Sequence, residues 1–174
     1  MEAFLEILKY TIPGLIVFAT AYHLLKLYLD DVQRSNQHTL RSEAQKVSIP
    51  LKLQAYERLT LLCDRMEVMN VLLRIRMDGM SVAALKGALL VAISQEFDHN
   101  TSQQLYVSDT LWKIISLAKD ETLNLVVTAS AGLDPQAPDD ALVENLIRLL
   151  EQQGQPSPLQ RAIMALRAEA GQLF

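Results

Sequence analysis

Glu96 and His99 place a carboxylate and an imidazole three residues apart, within the segment EFDHNTSQQLYVSD (residues 96–109). On one helix face, that is the spacing by which carboxylate-bridged di-metal bundles hold their ions. Such a site needs a second pair of the same kind and two further glutamates, and the chain offers one pair. The remaining chemistry-bearing residues are scattered. Histidines stand at positions 23, 38 and 99, and Cys63 is the one cysteine. The chain contains no GxxxxGK[ST] phosphate loop, no GxGxxG, no GxSxG, no CxxC and no HExxH. No catalytic residue, metal ligand or cofactor site is assigned from the sequence.

Helical arithmetic gives residues 96–103 a second meaning. At about 100° per residue, with Leu85 at zero, Leu89, Ala92 and Ile93 fall on one side. Glu96, His99, Asn100 and Gln103 continue that side if the helix runs so far, and Asp98 points away. Polar groups on an apolar face must find partners or stay wet. Tyr56 and Arg58 are the candidate partners of Glu96. Three readings compete: a buried polar network that fixes helix register, a polar recognition surface at the end of a bundle, and the metal half-site, ranked last.

The elements that would position these residues read as helix after helix. Ser48 and Pro50 make a start signal, followed by an apolar stripe of Ala55, Tyr56, Leu59, Leu62, Cys63 and Met66. Cys63 lies on that stripe, which makes it a small core residue. A short apolar run, Val71 to Ile75, precedes a turn at Asp78-Gly79. Ser81 caps the helix of Leu85, Leu89 and Ile93. Ser108 or Asp109 caps the next, with Leu111, Ile114, Ile115, Ala118, Leu125 and Ala129 apolar. Residues 133–140 (LDPQAPDD) form a loop. Asp139 or Asp140 caps a helix carrying Leu142, Val143, Leu146, Leu149 and Leu150, which Gly154 closes. Ser157-Pro158 opens the last. The predicted fold is all-α, with residues 49–132 a helical bundle and 133–174 a hairpin packed on it or separate.

Residues 1–48 differ in kind. Tyr10 to Leu29 (YTIPGLIVFATAYHLLKLYL) hold one formal charge, Lys26, and as a helix would be roughly 30 Å long, about the thickness of a bilayer's hydrocarbon core. A transmembrane anchor over 1–29 is the expectation, and His23 reads as an interfacial histidine near its end. The competing reading is a soluble oligomer that buries residues 4–29 between chains. Glu2 and Glu6 argue against a cleaved signal peptide. Lys9 precedes the span, and Lys26, Arg34, Arg41 and Lys46 follow its core, which puts the C-terminal bulk in the cytoplasm by the positive-inside rule. Residues 30–48, polar and without Gly or Pro, read as a helical stalk whose sparse apolar residues Val32, Leu40, Ala44 and Val47 suit a solvated helix or a weak coiled-coil seam. Gly14 and Phe18 do not make a small-xxx-small pair. The net charge of −4 and the lack of a basic run weigh against nucleic acid as a partner.

Three stretches, LEILKYTIPGLIVFATAYHLLK, LKLQAYERLTLL after Pro50, and EFDHNTSQQLYVSDTLW, make the first 130 or so residues resemble a family of uncharacterised single-span membrane proteins of Bacteroidota. The resemblance implies an N-terminal anchor in a bacterial inner membrane, a helical stalk and a cytoplasmic helical domain. It implies no activity and no site residues. The expected function is that of a membrane-anchored adaptor or accessory subunit acting through protein contacts. The alternative is an enzyme using Glu96 and His99 as acid/base or metal-binding groups.

Overall fold

The computed structural model describes the backbone of residues 2–154 and 156–173, and the side chains of 14–29, 31–32, 46–152, 154 and 156–172. Six α-helices follow one another: α1 (Glu2–Met66), α2 (Val68–Ile75), α3 (Val82–His99), α4 (Asp109–Ala129), α5 (Asp140–Gln153) and α6 (Pro158–Ala170). Short 3-10 turns cover Thr101–Tyr106 and Gly171–Leu173. No strand occurs among the described residues, only an isolated antiparallel bridge between Ser81 and Pro138. The chain divides into two compact units, Met1–Ser48 and Ile49–Phe174.

The first unit is helical throughout its described backbone. From Leu15 to Leu29 its large apolar side chains are exposed. Among the described residues no helix is long and apolar enough to cross a membrane. The Tyr10–Leu29 segment falls in part on residues 10–13, whose side chains lie outside the described set. Leu40 and Ala44 of the predicted stalk also lie outside the described side chains, while Val47 is exposed.

The helix start read at Ser48 and Pro50 is not a helix boundary: α1 runs through both. A proline inside a helix removes one hydrogen bond and crowds the preceding turn, yet its fixed φ is itself helical, so the ladder can resume on either side.

In the second unit the apolar stripes close on one core. Ala55, Leu59, Leu62, Cys63 and Met66 of α1 are buried with Leu85, Leu89 and Ile93 of α3, Leu111, Ile115 and Val126 of α4, Leu142 and Leu146 of α5, and Leu159, Ala162 and Leu166 of α6. Each fully buried leucine contributes roughly 1.5–3 kcal/mol. Residues 133–174 belong to this unit, and α6 packs on α4.

Caps set the helix ends. The hydroxyls of Ser81, Ser108 and Ser157 accept from Ala84 N (3.2 Å), Leu111 N (3.1 Å) and Gln160 N (3.1 Å), and Gln160 Oε1 accepts from Ser157 N to complete a capping box. The first amides of α3 are met from elsewhere: Val82 N donates to Ala137 O and Ala83 N to Pro135 O, both at 3.0 Å. Asp139 precedes α5 without capping it, because its carboxylate turns to Arg76. Gly154 takes φ +71°, a left-handed conformation that favours glycine.

Candidate functional site

A concavity of about 530 Å³ opens where α1, α2 and α3 end, with Arg65, Arg74, Ile75, Ala92, Gln95, Glu96, His99 and Asn100 around it. The chain break that makes it is at Glu67, whose ψ of 128° leaves the helical region between α1 and α2. The last carbonyls of α1 then need donors. Glu67 N and Asn70 Nδ2 both reach Asp64 O, at 3.2 and 2.8 Å, and an Arg74 terminal nitrogen reaches Arg65 O at 2.6 Å. This capping brings the Arg74 guanidinium beside that of Arg65.

Glu96 receives both. Arg65 Nε lies 3.0 Å from Glu96 Oε1, a terminal nitrogen of Arg65 2.8 Å from the same oxygen, and one of Arg74 3.2 Å from it. The Glu96 side chain is 21% exposed, those of Arg65 and Arg74 56% and 37%. The expected partners, Tyr56 and Arg58, are not used: Arg58 is exposed, and Tyr56 bonds elsewhere. The reason is local. The α1–α2 break carries two arginines to the open end of α3, which a reading of single helices could not locate.

The four-residue polar face separates into different roles. His99 is exposed, its Nδ1 2.6 Å from Gln95 O. Asn100 is the C-cap of α3, and its Nδ2 donates to Glu96 O at 2.9 Å. Both side chains thus serve carbonyls at the helix end. Gln103 lies in the 3-10 turn, and its side chain makes a 3.5 Å contact with Ser102 Oγ. The arithmetic fails here because α3 stops at His99. Its buried row also drifts: Leu85, Leu89 and Ile93 step about 40° per four residues, on toward Phe97 and away from His99. Phe97 packs on Trp112 with centroids 5.1 Å apart, and Lys119 sits 4.8 Å over its ring.

Two further clusters join distant elements. Tyr56 Oη donates to Glu169 Oε1 at 3.0 Å, Ser108 N donates to the same oxygen at 2.9 Å, and the Ser108 hydroxyl donates to Oε2. Burial pushes the Tyr56 phenol up to about 12, with the bond to Glu169 and its charge adding to the shift. Burial also pushes the Glu169 carboxyl up, but the bonds from Ser108 and Tyr56 outweigh it and hold the group below its ordinary value. In the other cluster, Arg76 forks onto Asp139, with Nε to Oδ2 at 2.6 Å and a terminal nitrogen to Oδ1 at 3.2 Å, and reaches Asp140 Oδ1 at 2.6 Å. That bond holds the buried Asp139 carboxyl below its ordinary value. Arg76, Asp139 and Glu169 carried no sequence signal as partners. The one available clue was Tyr56 on an apolar stripe, since a buried phenol needs an acceptor.

The arrangement offers little chemistry. Cys63 is buried, and burial, reinforced by the charge of Glu67, pushes its thiol up to about 12, far from a reactive thiolate. Among the described residues no group of three or more His, Cys, Asp or Glu side chains is placed to hold a metal ion. The Glu96 carboxylate that the half-site reading needs is engaged by two guanidiniums, and His99 Nδ1 by a carbonyl. What the concavity can do is bind: it combines two cations, one carboxylate and an imidazole.

No curated protein and no solved structure matches the chain. A family model described as a family of unknown function (DUF7935) matches residues 2–173, well past the point near residue 130 where the sequence resemblance stops. Spanning both units and all six helices, that match shows that the chain belongs to this family of unknown function.

Proposed function

We propose that the chain is a membrane-anchored helical adaptor or accessory subunit, held in a bacterial inner membrane by residues 1–29 and carrying its second unit in the cytoplasm, acting through protein contacts and without chemistry of its own. The carrying observation is the exposure of Leu15, Ile16, Val17 and Phe18, repeated at Leu24, Leu25, Leu27 and Leu29. Four consecutive apolar residues at about 100° steps cover every quadrant of a helix. A helix that is apolar all round is one that buries itself on all sides, and lipid does this for a lone segment. Thr20 fits such a setting, since its hydroxyl donates to Ile16 O at 2.8 Å and so needs no water. Lys26 sits near the end of the segment, where its stem can reach the interface.

Carbonate extraction tests the anchor, and phosphatase fusions test the orientation. The chain should stay with membranes, and a C-terminal phosphatase exported only through a periplasmic C-terminus should be inactive. Release into carbonate as a defined oligomer would favour burial of residues 4–29 between chains. For the adaptor role, affinity purification in mild detergent should return the same protein partner from independent preparations, and repeated recovery of the chain alone would sink it.

A further inference from the structure

We infer that the concavity at the end of α3 receives an acidic protein segment, a carboxylate carried beside an aliphatic side chain, with Arg65 as its receptor and Arg74 holding Glu96 beside it. The inference rests on the adaptor reading and names the chemistry of its partner. Three donors from two guanidiniums bear on one oxygen, Glu96 Oε1, at 2.8, 3.0 and 3.2 Å. Both prongs of Arg65 fall on that oxygen, whereas a saturated fork places one prong on each oxygen of a carboxylate. Two positive charges against one negative leave the site a net cation.

The two arginines differ in freedom. Arg74 is tied down by Arg65 O at 2.6 Å and Asn70 O at 3.3 Å as well as by Glu96. Among the described residues the Arg65 side chain bonds only to Glu96, and it is 56% exposed. Arg65 can therefore turn to an incoming carboxylate while Arg74 keeps Glu96. Glu96 occupies the place of the ligand in the empty site and competes with it. His99 stands at the same concavity, its Nδ1 2.6 Å from Gln95 O. Ile75 and Ala92 line the same concavity and supply the apolar contact. Its volume of about 530 Å³ exceeds what a lone inorganic anion fills and lies in the range of sites for larger ligands.

The test uses the full chain in neutral detergent and a fluorescent peptide, acetyl-Gly-Leu-Glu-Leu-Glu-Gly-amide, beside its Gln counterpart, with anisotropy as the readout. The Glu peptide should bind and the Gln peptide should bind at least about tenfold more weakly. Arg65→Gln should weaken the Glu peptide about tenfold, and Arg58→Gln, on α1 outside the concavity, should change nothing. Glu96→Gln keeps the shape, removes the competitor, and should tighten binding about tenfold, an effect that a merely structural carboxylate would not produce. Equal binding of the two peptides, or weaker or unchanged binding in Glu96→Gln, would overturn the inference. So would displacement of the peptide by inorganic phosphate at no more than the peptide's own concentration. The adaptor reading stands or falls separately. A partner recovered from membranes together with an indifferent Glu96→Gln sinks the inference alone, and peptide binding that follows the variants without any recovered partner sinks the adaptor alone.

Discussion

The helix α1 carries apolar residues in two ways. Between Leu15 and Leu29 they face every direction and are exposed; between Ala55 and Met66 all but Leu61 form a stripe and are buried, while Glu57, Arg58 and Asp64 on the other side stay in solvent. The composition of the two stretches is similar in its leucines, but the pattern differs. A stripe needs a neighbour on one side, and the common core of the second unit provides it. An all-round apolar surface needs cover on every side, from lipid or from protein. Periodicity, more than hydrophobicity, therefore separates a stretch that this chain covers by itself from one that something else must cover.

The largest break in that comparison should come from Leu59→Ala, which hollows the core of the second unit. Chemical denaturation of the full chain in detergent should lose about 2–5 kcal/mol, whereas Leu25→Ala should leave the same transition where it was. If Leu25→Ala costs as much, the first unit is packed on protein and the lipid reading fails. Leu25→Asp works the other way. A carboxylate in a spanning helix costs roughly 2.5–3.5 kcal/mol of insertion, so the carbonate-resistant fraction should fall while the denaturation midpoint of the second unit holds.

Smaller effects sharpen the buried side. Tyr56→Phe removes one hydrogen bond to Glu169 and should cost about 0.5–1.5 kcal/mol. The pH profile of stability should be flat between about 5 and 9 on account of the shifted groups. Glu169 and Asp139, held below their ordinary 4.5 and 3.8, stabilise above those values, and that contribution is lost as pH falls through the lowered ones. Cys63 and Tyr56, raised from 9.0 and 10.0 to about 12, stabilise in their neutral forms, and that contribution is lost as pH climbs toward 12. A midpoint that falls between pH 6 and 8 would show that another group controls the fold. The smallest effects belong to the open end of α3. Glu96→Ala breaks ion pairs whose arginines are half in solvent and should cost no more than about 1 kcal/mol, with Asp98→Ala within about 0.5.

That last expectation marks how far the sequence could be read. The all-α class, the buried stripes and the serine caps at 81, 108 and 157 were legible, because each depends on residues a few places apart. Glu96 was legible as a polar group continuing an apolar face, but its partners were not. Arg65 and Arg74 come together through a break at Glu67, which is neither Gly nor Pro and gives no turn signal. The Tyr56–Glu169 bond spans 113 positions and leaves no periodic trace. Asp139 looked like a helix cap because of its place before α5, and only the fold shows that Arg76 claims its carboxylate first.

The loop from Leu133 to Asp139 meets the first amides of α3 with the carbonyls of Pro135 and Ala137. Every residue type has a carbonyl, so this joint measures chain length and ignores side-chain identity. Exchanges at the exposed Gln136 should leave it intact, but deleting one residue should shift both acceptors out of register and strand two donors. Between Asp134, whose carboxylate fixes Gln136 N at 3.0 Å, and Asp139, clasped by Arg76, the loop is a spacer of set length with free spelling.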